Sequence, residues 1–175
     1  MVGQKSFLEA FGNTRSLLRL AISVAIPLSA GAIGAIFTAD SVETWYQLIE
    51  KPWFTPPNWL FGPAWTVLYV LMGISLYLVW RKTTIDRSKH GTRPAAFAAF
   101  GTQLGLNALW SFLFFGLRSP QLAFAEIVIL LASIIVTIII FSRVSRLAAG
   151  LMLPYVGWVT FASALNLGVW LVNSS

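Results

Sequence analysis

On a helix, with about 100° between successive residues, Gln103, Asn107, Trp110 and Phe114 fall on one face. Trp65, Tyr69 and Met72 make a stripe on a second helix. Tyr155, Trp158, Ala162, Leu165 and Asn166 share an arc of roughly 100° on a third. Rings beside a few amides are not an acid–base set. Their chemistry is stacking on flat apolar molecules, with the amides fixing orientation through hydrogen bonds. For any single ring, ordinary bundle core is the competing explanation. The amides say more, because a buried polar group costs free energy unless it is paired. Asn107 and Asn166 are either ties between helices or ligand contacts.

Other reactive side chains are scarce. There is no cysteine, so there is no disulfide and no thiolate metal site. His90 is the one histidine and sits in a basic stretch, which fits a solvated loop residue and not a haem ligand. Glu126 interrupts an otherwise charge-free stretch, 119–142. A charge there is a functional candidate, but a protonated or interface-snorkelling side chain paired with a neighbouring helix or with Arg118 is the preferred reading. No hydrolytic triad, metal cluster or phosphate loop can be assembled.

Membrane spans must position these residues. Of 175 residues, 57% are hydrophobic and 10% charged, with a mean hydropathy of +0.76. A soluble domain has roughly 45–50% apolar and about 25% charged residues, so a soluble enzyme and a disordered chain are excluded. The net charge of +6 sets membrane orientation here and implies no nucleic-acid partner. A membrane helix needs about 20 mainly apolar residues. The gaps between charges give five spans, near 20–38, 62–80, 95–115, 121–142 and 151–172. The expected fold is all-α: a single domain, 1–175, formed by a bundle of five transmembrane helices. A β-barrel would need alternating polar residues, which 127–140 almost wholly lacks. The first apolar run is longer than the usual core of a signal peptide and holds Pro27, so it reads as a retained span.

The loops carry the orientation. Lys5, Arg15, Arg19, Arg81, Lys82, Arg87, Lys89, Arg93, Arg143 and Arg146 fall on one side, against Lys51 and Arg118 on the other. Ten against two is a strong positive-inside bias. In a bacterial inner membrane it puts the N-terminus in the cytoplasm and the C-terminus outside. The one long loop, 39–61, lies on the positive-poor side and holds Trp45, Trp53 and Trp59 with Pro52, Pro56 and Pro57. An interfacial aromatic belt explains one or two tryptophans. The braced loop as a whole reads as a lid, with Tyr46, Trp53 and Trp59 capping an apolar cavity, so that loosening it should act mainly on the ligand off-rate.

The ordered motifs carry a resemblance. They run from Trp45-Tyr46 through Lys51-Pro52-Trp53-Phe54-Thr55-Pro56-Pro57-Asn58-Trp59 to Gly62-Pro63-Ala64-Trp65-Thr66-Val67-Leu68-Tyr69 and Met72-Gly73. Gln103-Leu104-Gly105-Leu106-Asn107-Ala108-Leu109-Trp110, Phe114-Phe115-Gly116, Pro154-Tyr155, Trp158 and Ala164-Leu165-Asn166 follow. Together they resemble the translocator protein family, also called tryptophan-rich sensory proteins or peripheral-type benzodiazepine receptors, over nearly all of 17–172. The resemblance implies a five-helix bundle in the lipid bilayer that binds tetrapyrroles, sterols and isoquinoline or benzodiazepine drugs. It further implies a ligand cavity lined at Trp65, Asn107, Trp110, Trp158, Ala162 and Leu165, with Tyr46 hanging from the loop above; Asn166 joins them from the shared face of its helix. It implies no obligatory cofactor, and a porphyrin, protoporphyrin IX or haem, as ligand. Mammalian members end the fifth helix with a sterol motif of Leu or Val, then Tyr, then Arg or Lys. Here 165–173 has Leu167 at the Tyr position and no basic residue after it. A looser pattern occurs at Leu71, Tyr77 and Arg81. The likeness is thus to a bacterial-type member, with porphyrins ahead of cholesterol.

Gly101 and Gly105 sit with Ala108 and Phe112 on the face opposite Asn107 and permit close helix approach. Packing within the monomer and a seam between copies both use such a face; the family likeness favours a homodimer. Ala30, Gly31, Gly34 and Ala35 form a second small-residue patch. The leading functional expectation is a membrane protein that binds, sequesters or senses porphyrins and similar planar ligands. A light-dependent porphyrin-degrading enzyme and a passive transporter of porphyrin or sterol are the alternatives. Near-absence of intramembrane charge argues against ion-coupled transport.

Overall fold

The computed structural model describes residues 14–174; Lys5, counted above, lies outside them. Helix α1 spans Thr14–Glu43 and α2 is the single turn Trp45–Leu48. Helix α3 spans Phe61–Ile85, α4 Arg93–Ser111, α5 Pro120–Val144, α6 Arg146–Leu151 and α7 Leu153–Val172. Five segments are long and apolar enough to cross a membrane: Thr14–Glu43, Asn58–Ile85, Arg87–Gly116, Pro120–Val144 and Arg146–Val172.

The helices outrun the apolar stretches. α1 continues five residues past Thr38, and α3 continues five past Trp80 to Ile85. A charge does not end a helix at the membrane surface; the backbone stays paired within the helix while long side chains reach for water. The loop between the first two spans is correspondingly shorter than 39–61. True stops carry their own chemistry. Ser119 and Ser145 accept hydrogen bonds from the backbone N–H of Leu122 and Ala148, capping α5 and α6. The fifth span is split at Met152, where Pro154 in the first turn of α7 cannot donate to the turn before it.

Around the bundle, α1 lies against α3 and α4, α4 against α5, and α5 against α7. α3 and α7 close the ring through side chains, Trp65 standing edge-on to Tyr155 and Trp158 at 6.1 and 6.4 Å. The end of the bundle away from the first loop is filled. Met72, Val79, Ile134, Phe141 and Met152 are wholly buried there, and Phe100 stacks on Phe141 at 6.0 Å. A Cβ on Gly73 would stand 2.5 Å from the Cα of Val24, so α1 and α3 touch backbone to backbone. The Ser75 hydroxyl donates to the Ala148 carbonyl at 2.7 Å.

The first loop folds across the opposite end and is fastened to α7. Asn173 Oδ1 accepts from the Glu50 backbone N–H at 3.1 Å, and its Nδ2 donates to the Glu50 carbonyl at 2.9 Å. Pro52 packs onto Gly168 in space that a Cβ would take. Phe54 meets Phe161 edge-on at 6.5 Å.

Candidate ligand-binding cavity

Beneath the loop the rings do not fill the space between the helices. They enclose a cavity of about 590 Å³, within the range of small-molecule sites. Tyr46, Trp65, Trp110, Trp158, Ala162, Leu165 and Asn166 all line it. Asn107 does not. It sits below the cavity as a tie between three helices: its Oδ1 accepts from the Tyr69 hydroxyl at 2.7 Å, and its Nδ2 donates to the Tyr155 hydroxyl at 3.1 Å. Of the two readings open for this buried amide, helix tie is the one that the geometry takes. Asn166 serves both. Its Oδ1 accepts from Trp110 Nε1 at 3.0 Å while its Nδ2 donates to the Pro120 carbonyl at 2.7 Å, so the Trp110 ring is held in one orientation.

The wall is rigid because its rings brace one another. Trp65 stacks on Tyr69 at 5.4 Å, and Trp110 on Phe114 at 5.2 Å. After Ser111 the helix widens into one π turn, Phe112–Gly116, with the Leu117 N–H donating to the Phe112 carbonyl at 2.8 Å. Such a bulge re-aims side chains. Here it sends both Phe114 and Phe115 toward Tyr46, 6.3 and 5.8 Å away. Tyr46 is buried, which raises its phenol above the ordinary value. Lys51 Nζ stands over the same ring at 4.9 Å. Glu43 is the charged residue among the lining ones.

The lid is corrected in part. Tyr46 caps the cavity, but Trp53 and Trp59 are 95% and 70% exposed and face away from it. Three prolines fix the path of the loop, and that path turns these two rings outward, where an interfacial belt accounts for them. Trp45 turns inward, 5.7 Å from Phe114. Arg118 pairs with Asp40 at 3.9 Å and not with Glu126. Among the described residues, neither Glu126 carboxyl oxygen has a hydrogen-bond partner. His90 is exposed in the turn after α3.

The α1 patch is an inner wall. Gly31, Gly34 and Ala35 line the cavity; a Cβ on Gly31 would run into the Tyr69 ring, and one on Gly34 would meet Ser111 Oγ at 3.0 Å. Sequence reasoning had the signal, a run of small residues, without the partner. On α4, by contrast, Gly101 and Gly105 are exposed and a Cβ on either would meet nothing within 4 Å. Among the described residues nothing packs on these two glycines, while Phe112 of the same face meets Phe37 of α1 edge-on at 5.2 Å.

These features define a multi-pass helical membrane protein with an aromatic-walled cavity beneath a fastened loop. The match to known proteins is more particular. The chain belongs to the TspO/MBR family, whose model covers residues 23–171. It is 48% identical to the tryptophan-rich protein TspO of Archaeoglobus fulgidus over 91% of this chain and 99% of that one. It is 37% identical to protein CrtK of Rhodobacter capsulatus over 90% of this chain and 94% of that one. With the human translocator protein it shares 34% identity over 81% of this chain and 82% of the relative.

Proposed function

We propose that the protein is an integral membrane receptor for porphyrins and similar planar apolar ligands, which it binds and presents for sensing, sequestration or transfer. The observation that carries this reading is the cavity itself: rigid tryptophan faces, about 590 Å³, with few polar groups. Stacking favours a flat macrocycle, and Asn166 with Tyr46 supplies the orienting hydrogen bonds. The names of relatives, a tryptophan-rich sensory protein in Cereibacter sphaeroides and translocator proteins in mammals, fit a binding or sensory role. The basic-residue bias orients the N-terminus to the cytoplasm in a bacterial inner membrane. The bare Gly101 and Gly105 face suits a seam in a homodimer.

Titration of the purified protein with protoporphyrin IX tests the reading. Trp110→Ala and Trp158→Ala should each weaken binding by about 1–3 kcal/mol through lost stacking. Trp80→Ala and Trp170→Ala should change it little, since Trp80 packs on Phe97 and Trp170 on Phe124, outside the cavity. Equal losses in all four variants would remove the cavity assignment. The degrading-enzyme alternative is separated by product analysis after the bound porphyrin is illuminated.

A further inference from the structure

The cavity has an open flank. α1 and α3 touch at Val24 and Gly73 and again at Gly31 and Tyr69. Nearer the loop, Ala32, Ala35 and Ala39 of α1 and Gly62 and Thr66 of α3 line the cavity and are also exposed. Lining residues that are exposed mark where a cavity is open. This opening runs along the bundle and is not confined to its end.

Its depth decides what it faces. Asp40 is the first charge after the apolar run of α1. At about 1.5 Å per residue, Ala32 lies about 12 Å below Asp40. Half of a bilayer's hydrocarbon is about 15 Å thick, so the opening spans most of one leaflet. Its rim is dressed for that medium. The Thr66 hydroxyl donates back to the Gly62 carbonyl, and that of Thr38 to Gly34, each at 2.9 Å. Both rim hydroxyls are thus satisfied by their own helix and are compatible with lipid.

We propose that the gap between α1 and α3 is a lateral port through which apolar ligands pass between the loop-side leaflet and the cavity, an acyl chain filling it when no ligand is there. The port rests on the cavity being the ligand site argued above, and it narrows the ligands to molecules that dissolve in the bilayer first.

The chain has no cysteine, so a nitroxide can be placed at Ala32→Cys or Ala35→Cys alone in protein reconstituted into phosphatidylcholine vesicles. Collisions with oxygen, which concentrates in lipid, are compared with those of a water-soluble nickel chelate. Ile36, 73% exposed on α1, gives the lipid reference, and Leu48, 86% exposed in the loop, gives the aqueous one. The expected oxygen-to-nickel ratio at Ala35 is within about twofold of Ile36 and several-fold above Leu48. A ratio like that of Leu48 would mean a water-facing mouth, and low access to both probes would mean cover by a second copy or by the loop; either overturns the port. A kinetic arm uses protoporphyrin IX as the probe. At fixed total porphyrin, raising the lipid tenfold should slow association about tenfold, because the bilayer mole fraction sets the rate. A rate that ignores lipid overturns the port. If porphyrin fails to bind at all, the proposed ligand is wrong, while the nitroxide result still decides the port.

Discussion

The two ends of the bundle use the same helices and differ in how they fill the space between them. Away from the first loop, α3 presents Met72, Leu76 and Val79, all nearly or wholly buried. Beneath the loop it presents Gly62 and Thr66 to the surroundings and leaves Trp65 half-buried. The filled end relies on small residues that let backbones touch and on flexible side chains that fill the remainder. That is the usual basis of cohesion in lipid, where no hydrophobic drive pulls helices together. The hollow end is held by large flat rings that stack or meet edge to face. Rigid plates span a gap without filling it, and many aromatic residues in an apolar chain can therefore signal a cavity as readily as a core.

The sharpest way to break this comparison is to add one methyl group at each end. On Gly73 it would press on the Cα of Val24 at 2.5 Å and the Ser23 carbonyl at 2.8 Å, both backbone and unable to yield. Gly73→Ala is expected to cost about 3 kcal/mol or more. On Gly62 a Cβ meets nothing within 4 Å, and Gly62→Ala should stay within about 0.5 kcal/mol. Unfolding in detergent, followed by circular dichroism, checks both. If the two variants lose the same stability, the ends do not differ in packing.

Asn107 stands at the boundary between the two ends. Asn107→Leu strips the Tyr69 and Tyr155 hydroxyls of their shared partner. The expected loss of stability is about 1–2 kcal/mol, since ties of this kind within membranes are modest. Protoporphyrin affinity should fall less than in Trp110→Ala, because Asn107 does not line the cavity. Calorimetry and titration of one preparation give both numbers. An affinity loss that exceeds the stability loss would move Asn107 into contact with the ligand.

Much of this was legible in the sequence. Charge spacing is a sufficient signal for five spans, because a backbone in lipid has few alternatives to a helix. The helical period is a sufficient signal for the aromatic faces; the eight site residues rest on the family resemblance with Asn166 added from its helix face, and seven of them line one cavity. What stayed hidden depends on distance between helices. Whether Asn107 ties helices or meets ligand turns on where Tyr69 and Tyr155 lie. The π turn at Phe112–Gly116 has no marker in residue type, yet it decides that Phe114 and Phe115 both reach Tyr46. The Gly31 and Gly101 patches look alike in sequence. One receives the Tyr69 ring and the other meets nothing, a difference set wholly by the neighbours.

The first loop gives the smallest expected effect. Proline content reads as a lid whose loosening frees the ligand, and the structure does fasten the loop, through the paired hydrogen bonds of Asn173 to Glu50. Those bonds are exposed, so each is worth about 1 kcal/mol at most. Loss of both would multiply loop opening by about thirtyfold at most. The ligand would notice only the part of its exit that goes through the loop, and the port between α1 and α3 bypasses it. Asn173→Ala is therefore expected to raise the protoporphyrin off-rate by no more than about threefold, with the on-rate nearly unchanged. Asn173→Asp keeps the acceptor for the Glu50 N–H, loses the donor to its carbonyl, and should fall in between. Stopped-flow displacement in vesicles reads both. A rise of tenfold or more would make the loop the principal way out and leave the open flank with no part in release; no rise at all would leave the clamp a structural fastening, with every exit through the bilayer.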